Sequence, residues 1–149
     1  MSTKAPKLIV VRGPIAAGKS SVSSLLREKL GSARWSVVDP DIIKVMIDPD
    51  QSSDWRREIS HKRARDITRD LLDIGRNVII QAHCRREGEI DKINSMAKQM
   101  NTKPYHLLLQ TSVDTSLARS INRNTDNLGY RIDRKMIESY AVCQTPRPG

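Results

Sequence analysis

The run Gly13-Pro14-Ile15-Ala16-Ala17-Gly18-Lys19-Ser20 has the spacing G-x-x-x-x-G-K-S, directly after the apolar stretch 8–11 and directly before a segment of helical period. A loop of this pattern turns its backbone N–H groups inward around a β-phosphate, and the helix that follows adds the positive potential of its N-terminus. Lys19 would reach β- and γ-phosphate oxygens, and Ser20 would offer a hydroxyl to Mg²⁺, which otherwise keeps water and phosphate oxygens around it. Gly13, Pro14, Ile15, Ala16, Ala17, Gly18, Lys19, Ser20 and Ser21 are thus the expected ATP-binding set. The bland alternative is a glycine turn that only joins a strand to a helix. The loop does not say whether the triphosphate donates a phosphoryl group, drives a conformational cycle or acts as a switch. A guanine-selecting N-K-x-D is absent, and the strand that ends in an acid in a motor ATPase here ends Ile79-Ile80-Gln81-Ala82. Phosphoryl transfer is the leading class.

Transfer to an alcohol needs a group that orients the hydroxyl in line and accepts its proton. Asp39-Pro40-Asp41-Ile42-Ile43-Lys44 puts two carboxylates at the carboxyl end of a second apolar run, the edge on which parallel sheets bind ligands. Asp41 is the expected base, with helix N-capping as its structural alternative. Asp39 and Lys44 are expected acceptor contacts, although Lys44 would serve equally as a solvated lysine. Arg119 and Arg123 share a helical face just before the polar loop 124–129, with Arg131 and Arg134 beyond it. Arginines so placed can close as a lid over the triphosphate, offsetting charge on the transferring group and excluding water. A solvated basic face is the alternative.

Arg56, Arg57, His61, Lys62, Arg63, Arg65 and Arg69 crowd the segment 55–74. Most read as a solvated face with local ion pairs such as Asp66 with Arg69. His61 and Arg65 share one face and are candidate acceptor contacts, as are His83 and Arg85 beyond the third strand. A metal set of His61, His83 and Cys84 lacks a supporting spacing.

These residues need elements to hold them. Near-continuous apolar runs at 8–11, 35–38, 78–81 and 106–110 read as strands covered on both faces, alternating with helical segments, which argues for βαβ units around a parallel sheet. The helices expected are 19–30, closed by Gly31; 55–74, with Ile59, Ile67, Leu71 and Ile74 recurring at helical spacing before Gly75; one with Ile90, Ile93, Ala97 and Met100 inward; one N-capped by Ser112; and a short one near 133–141. The expectation is an α/β fold of three layers, its mainly parallel sheet having four or five strands.

The chain has 149 residues, enough for one domain with a continuous core. Its 26 Lys+Arg against 17 Asp+Glu give a formal charge of +9 and an expectation of anionic partners, nucleic acid among them. Phe is absent, and only Trp35, Trp55, Tyr105, Tyr130 and Tyr140 are aromatic, which weighs against a platform that stacks successive bases. Cys84 and Cys143 are too few for a disulfide framework, and the apolar run at 8–11 is too short for a signal or a membrane span, so the expected compartment is the cytoplasm.

With these residues placed, the chain resembles the P-loop kinases grouped around the phage polynucleotide 5′-hydroxyl kinase domain, with zeta-type toxin kinases and chloramphenicol phosphotransferase as relatives. The likeness covers about residues 7–140 and rests on three features. They are the loop 13–20; Asp39-Pro40-Asp41-Ile42-Ile43-Lys44, matching D-x-x-R/K; and Arg119-Ser120-Ile121-Asn122-Arg123, matching the lid pattern R-N-x-x-R. The resemblance implies a P-loop NTPase fold of nucleoside-kinase type with an arginine lid. It also implies Asp41 as general base, Lys19 and Ser20 serving ATP and Mg²⁺, and Arg119 and Arg123 on the phosphates. Relatives often carry an acid where this chain has Gln81-Ala82, and commonly add a fifth strand and helix after the lid. The function expected is ATP-dependent phosphorylation of a hydroxyl, a polynucleotide 5′-end first. Small-molecule acceptors or a nucleotide-binding module without transferase activity are the alternatives.

Overall fold

The computed structural model describes residues 5–14, 17–48, 54–83 and 87–124, and of residues 83, 87, 116 and 120–124 the backbone alone. Strand β1 (Leu8–Gly13) leads into α1 (Lys19–Leu30), then β2 (Trp35–Val38), α2 (Pro40–Ile47), α3 (Asp54–Asp73), β3 (Asn77–His83), α4 (Glu87–Gln99), β4 (Pro104–Leu108) and α5 (Val113–Asn124). The four strands form one sheet in the order β2-β3-β1-β4, and every pairing is parallel. Parallel neighbours need crossover helices, and these cover both faces over β1 and β3, whereas β4, expected to be covered on both faces, is mostly exposed because it is an end strand.

Alternation along β1 divides the core in two. Leu8 and Val10 join Val38, Val78, Ile80 and Ala82 under Ile43 of α2, Ala64 and Leu72 of α3, and Ile90, Ile93, Met96 and Ala97 of α4. Val11 and Ile79 face the other way with Trp35, against Leu26 of α1 and Leu109. Each buried Val or Ile side chain contributes roughly 1.5–3 kcal/mol relative to exposure. The layers are therefore α1 on one side and α2, α3 and α4 on the other, as the apolar runs imply.

The strands reach further than those runs. β1 continues through Arg12 to Gly13, and β3 spans Asn77–His83, because the two pair from Leu8 with Val78 to Gly13 with His83. The ladder is made by backbone groups, so it extends through polar residues that hydrophobicity does not mark. β4 begins two residues earlier than expected, at Pro104, which pairs with Leu8. A proline is tolerated there because it is the first residue of a strand at the end of the sheet.

Helix α3 turns a different face inward from the one its isoleucines suggest. Arg56, Ser60, His61, Ala64, Thr68 and Leu72 are buried, whereas Ile59 and Ile67 are each 42% exposed. The inward side chains are mostly small, and the hydroxyls of Ser60 and Thr68 donate to the carbonyls of Arg56 (2.6 Å) and Ala64 (2.8 Å), so their polarity is satisfied within the helix. The ion pairs differ too: Asp66 pairs with Arg63 at 3.1 Å, while Arg69 donates to Gln99 of α4 at 2.8 Å. Gly31 and Gly75 close α1 and α3, and Ser112 Oγ accepts from the Thr115 N–H at 3.1 Å as the N-cap of α5. The helix expected near 133–141 and the loop 125–129 lie outside the described residues.

Candidate functional site

The phosphate loop leaves the carboxyl end of β1, a central strand. Its first glycine is tightly packed: a Cβ on Gly13 would stand 3.2 Å from both Cβ and the carbonyl oxygen of Leu109, and 3.3 Å from Ala17 Cβ, so the neighbours would have to give by a few tenths of an ångström. Gly18 is required by conformation, with φ at 95° in the left-handed region immediately before α1. The Ala17 N–H donates to the Pro14 carbonyl at 3.2 Å, and that of Val22 to Gly18 at 2.9 Å. Helix α1 starts without a side-chain cap and without an acidic residue in its first turn. Its first N–H groups, those of Ser20 and Ser21 among them, stand at the positive end of the helix dipole, beside the loop.

Lys19 is buried, and its ammonium donates to the carbonyls of Gly13 (2.9 Å) and Pro14 (2.8 Å), drawn across the loop. Ser20 Oγ donates to Oε1 of Gln81 at 3.3 Å. Gln81 is buried on β3 and pairs in register with Val11, so the carboxamide occupies the flank of the loop where relatives carry an acid. Both side chains present hard oxygen donors of the kind Mg²⁺ accepts, without adding charge. Ile15 and Ala16 lie outside the described residues.

Asp39, Asp41 and Lys44, expected on the acceptor side, stand on or just before α2, beyond the end of β2. Asp39 is the N-cap: its Oδ1 accepts from the Asp41 N–H at 2.9 Å, and Pro40 occupies the first helical turn. The capping role considered for Asp41 therefore falls to Asp39. Asp41 instead pairs with Lys44 at 3.0 Å, one helical turn on. Lys44 is not a solvated lysine; it is buried. Because β3 lies between β2 and β1, its carboxyl end, Gln81-Ala82-His83, lies between the end of β2, which leads to Asp41, and the phosphate loop.

The remaining candidates are spread along two elements and beyond. His61 is buried on α3. Arg65 joins α3 to α4 through its Nη1, which donates to both carboxylate oxygens of the buried Glu89, an interhelical tie. The backbone of His83 pairs with Gly13, its side chain and Arg85 lying outside the described residues. Arg119 reaches back over the loop, so that a Cβ built on Gly18 would stand 3.8 Å from its Nη1. Arg123 follows one turn later on α5, where only backbone is described, and Arg131 and Arg134 lie outside the described residues.

Two arginines were not legible as site residues. Arg56, expected on a solvated face, is wholly buried with its Nε donating to the Lys44 carbonyl at 2.9 Å. Arg12, next to Gly13, has a buried Nε without a hydrogen-bond partner among the described residues. Burial and, secondarily, the Arg12 charge lower the pKa of His106, which lies 2.9 Å from Asn94 Oδ1 through its Nε2.

A family described as an AAA domain matches residues 8–141. No curated protein matches the chain. Among solved structures, a chain of the Pnkp1/Rnl/Hen1 RNA repair complex superposes with a TM-score of 0.80 at 21% identity, over 93% of this chain and 44% of that one. A putative kinase from Chloroflexus aurantiacus gives 0.75 at 21% identity, over 97% and 84% of the two chains. A component of the PezAT toxin–antitoxin system of Streptococcus pneumoniae gives 0.76 at 18% identity, over 97% and 64%. The chain spans less than half the length of the RNA repair chains it matches. At these identities the likeness is one of fold.

Proposed function

The chain belongs to the AAA domain family and carries the fold of P-loop kinases, and from that premise we propose that it transfers the γ-phosphate of ATP to a hydroxyl group. The observation that carries the reading is the division of labour at the head of α2: Asp39 caps the helix, and Asp41 is held by Lys44 at the sheet edge that also bears the phosphate loop.

In this reading the loop N–H groups and the start of α1 hold the phosphates, and Lys19 exchanges the carbonyls of Gly13 and Pro14 for phosphate oxygens. The acceptor hydroxyl lies over the end of β3. Its oxygen bonds to the γ-phosphorus as the bond to the bridging oxygen breaks, its proton passes to Asp41, and ADP leaves with the electron pair. Arg119, over Gly18, offsets charge on the transferring group. Ser20 and Gln81 would hold Mg²⁺, which supplies further positive charge to the phosphates. Arg123 and Arg131 would complete the lid.

A polynucleotide 5′-hydroxyl is the first acceptor proposed, supported by the +9 charge and by the similar fold found within an RNA repair complex. The test is incubation with γ-labelled ATP and a panel of a 5′-hydroxyl oligonucleotide, nucleosides, nucleotide sugars and hydroxylated antibiotics. Label in the oligonucleotide is the expected result. Bound ATP that is hydrolysed without labelling any acceptor would replace the kinase reading by a nucleotide-binding module, for which Gln81 in place of an acid would be the reason.

A further inference from the structure

Between α3 and α4 lies a groove of about 340 Å³ that the phosphotransfer site does not use. Its charges do not balance. Arg65, in one wall, is answered by Glu89, and Asp66 by Arg63. That leaves Lys62, Arg69 and Lys92, all exposed, against the carboxylate of Asp91. Arg69 donates its Nη2 to Gln99 of α4 at 2.8 Å, which holds the guanidinium across the groove without offsetting its charge. Lys62 and Lys92 take part in no ion pair among the described residues. A solvated face accounts for one basic row on one helix. Here Lys62 and Arg69 face Lys92 across a concave surface, where the field of like charges adds. Met96, which is buried, is the apolar side chain of the lining, and no aromatic ring joins it. A peptide partner needs apolar anchors, and an unstacked base needs a ring to lie on. What the lining offers is ammonium, guanidinium, amide and hydroxyl donors, the groups that hold backbone phosphates.

We propose that this groove carries the sugar–phosphate backbone of a single nucleic-acid strand, several nucleotides downstream of the 5′-end that is phosphorylated. The inference rests on the polynucleotide acceptor reading and adds to it a second site, remote from the reacting hydroxyl. The topology leads a strand there. Arg56 ties α3 to the Lys44 carbonyl of α2, next to the residue that holds Asp41, and from that tie α3 runs toward Asn77 at the amino end of β3. A rise of 1.5 Å per residue sets Lys62 about 9 Å and Arg69 about 20 Å down the helix from Arg56. At about 3.4 Å of rise per nucleotide in a stacked strand, the groove takes nucleotides from about the third to the sixth, and a dinucleotide ends before it. With phosphates as its only handles, the groove reads length and not base sequence.

The test compares the chain with a variant carrying both Lys62→Gln and Lys92→Gln, exposed positions whose loss leaves the core intact. A 5′-hydroxyl decanucleotide with a fluorophore at its 3′-end is titrated by anisotropy without ATP. The variant should bind it about tenfold or more weakly, and the slope of log affinity against log salt should shrink by about 1.4, since each phosphate contact on a single strand contributes about 0.7. Two decanucleotides of unlike base composition should lose equally. In labelling assays KM for the decanucleotide should rise toward that for a dinucleotide, whose own kcat/KM should not change. An unchanged affinity and salt slope would overturn the proposal, and so would equal losses on the dinucleotide and the decanucleotide, which would mark a structural effect. A decaglutamate peptide that binds more tightly than the decanucleotide would also overturn it, assigning the groove to acidic protein segments. If the chain phosphorylates neither acceptor, the phosphotransfer reading fails on its own, and the titration still decides the groove: the loss of affinity and slope supports it, and their persistence ends it.

Discussion

At the residue scale, the 3.0 Å pair of Asp41 and Lys44 and the placement of Asp39 as cap make one substitution sharply informative. Asp41→Asn keeps the volume and removes the proposed base. It should bind ATP as the parent does and lose about 10²–10⁴ in the rate of transfer, measured by single-turnover labelling beside an ATP titration. His106 gives a second prediction, for stability. Its pKa lies below 6.5 in the folded chain through burial and then through Arg12. The unfolded chain therefore takes up the proton first as pH falls, so stability is full above about 6.5 and declines as pH drops through the folded value. His106→Gln should flatten that decline in urea titrations run between about pH 7 and 5; an unchanged slope would show that other groups govern it. The loop and the Asp39/Asp41 pair were legible because their chemistry fixes spacing along the chain. Arg56 was not, since a helix dense in charge carries no mark of which arginine faces inward.

At the element scale, helix ends and sheet edges do the positioning. Asp39→Ala removes the side-chain acceptor at the head of α2, and a loss of ~1 kcal/mol is expected in urea denaturation. Transfer should fall with ATP affinity unchanged, because α2 carries Asp41 and the phosphate loop is on other elements. Arg119 depends on α5, whose N-cap Ser112 is made as the sequence implies. Arg119→Ala should lower kcat by about 10²–10³, with a smaller effect on ATP binding, if its charge acts mainly on the transferring group; steady-state kinetics and equilibrium binding separate the two. The four apolar runs each mark a strand, because strands that pack against helices cannot be polar for long, although β4, at the end of the sheet, is mostly exposed. Their ends were not readable, since Arg12 and His83 stay in the ladder through the backbone. The face of α3 was misread for a related reason: small residues let a helix approach its neighbours, and apolar side chains then remain outside.

At the scale of the molecule, a formal charge of +9 would act on encounter with the proposed acceptor. With an oligonucleotide acceptor, kcat/KM should fall steeply as salt rises from low ionic strength toward ~0.15 M, where the screening length is about 8 Å. An uncharged nucleoside should show little of this dependence. The sheet order carries a further consequence. The phosphate loop springs from β1, flanked on both sides by other strands, whereas α5 and Arg119 follow β4, the end strand, whose Tyr105 is 54% exposed. Amide protons of β4 should therefore exchange with deuterium well before those of β1, through openings that leave the inner strands intact. A transient loss of that outer strand would loosen the arginine above the nucleotide while the cradle beneath it stays folded.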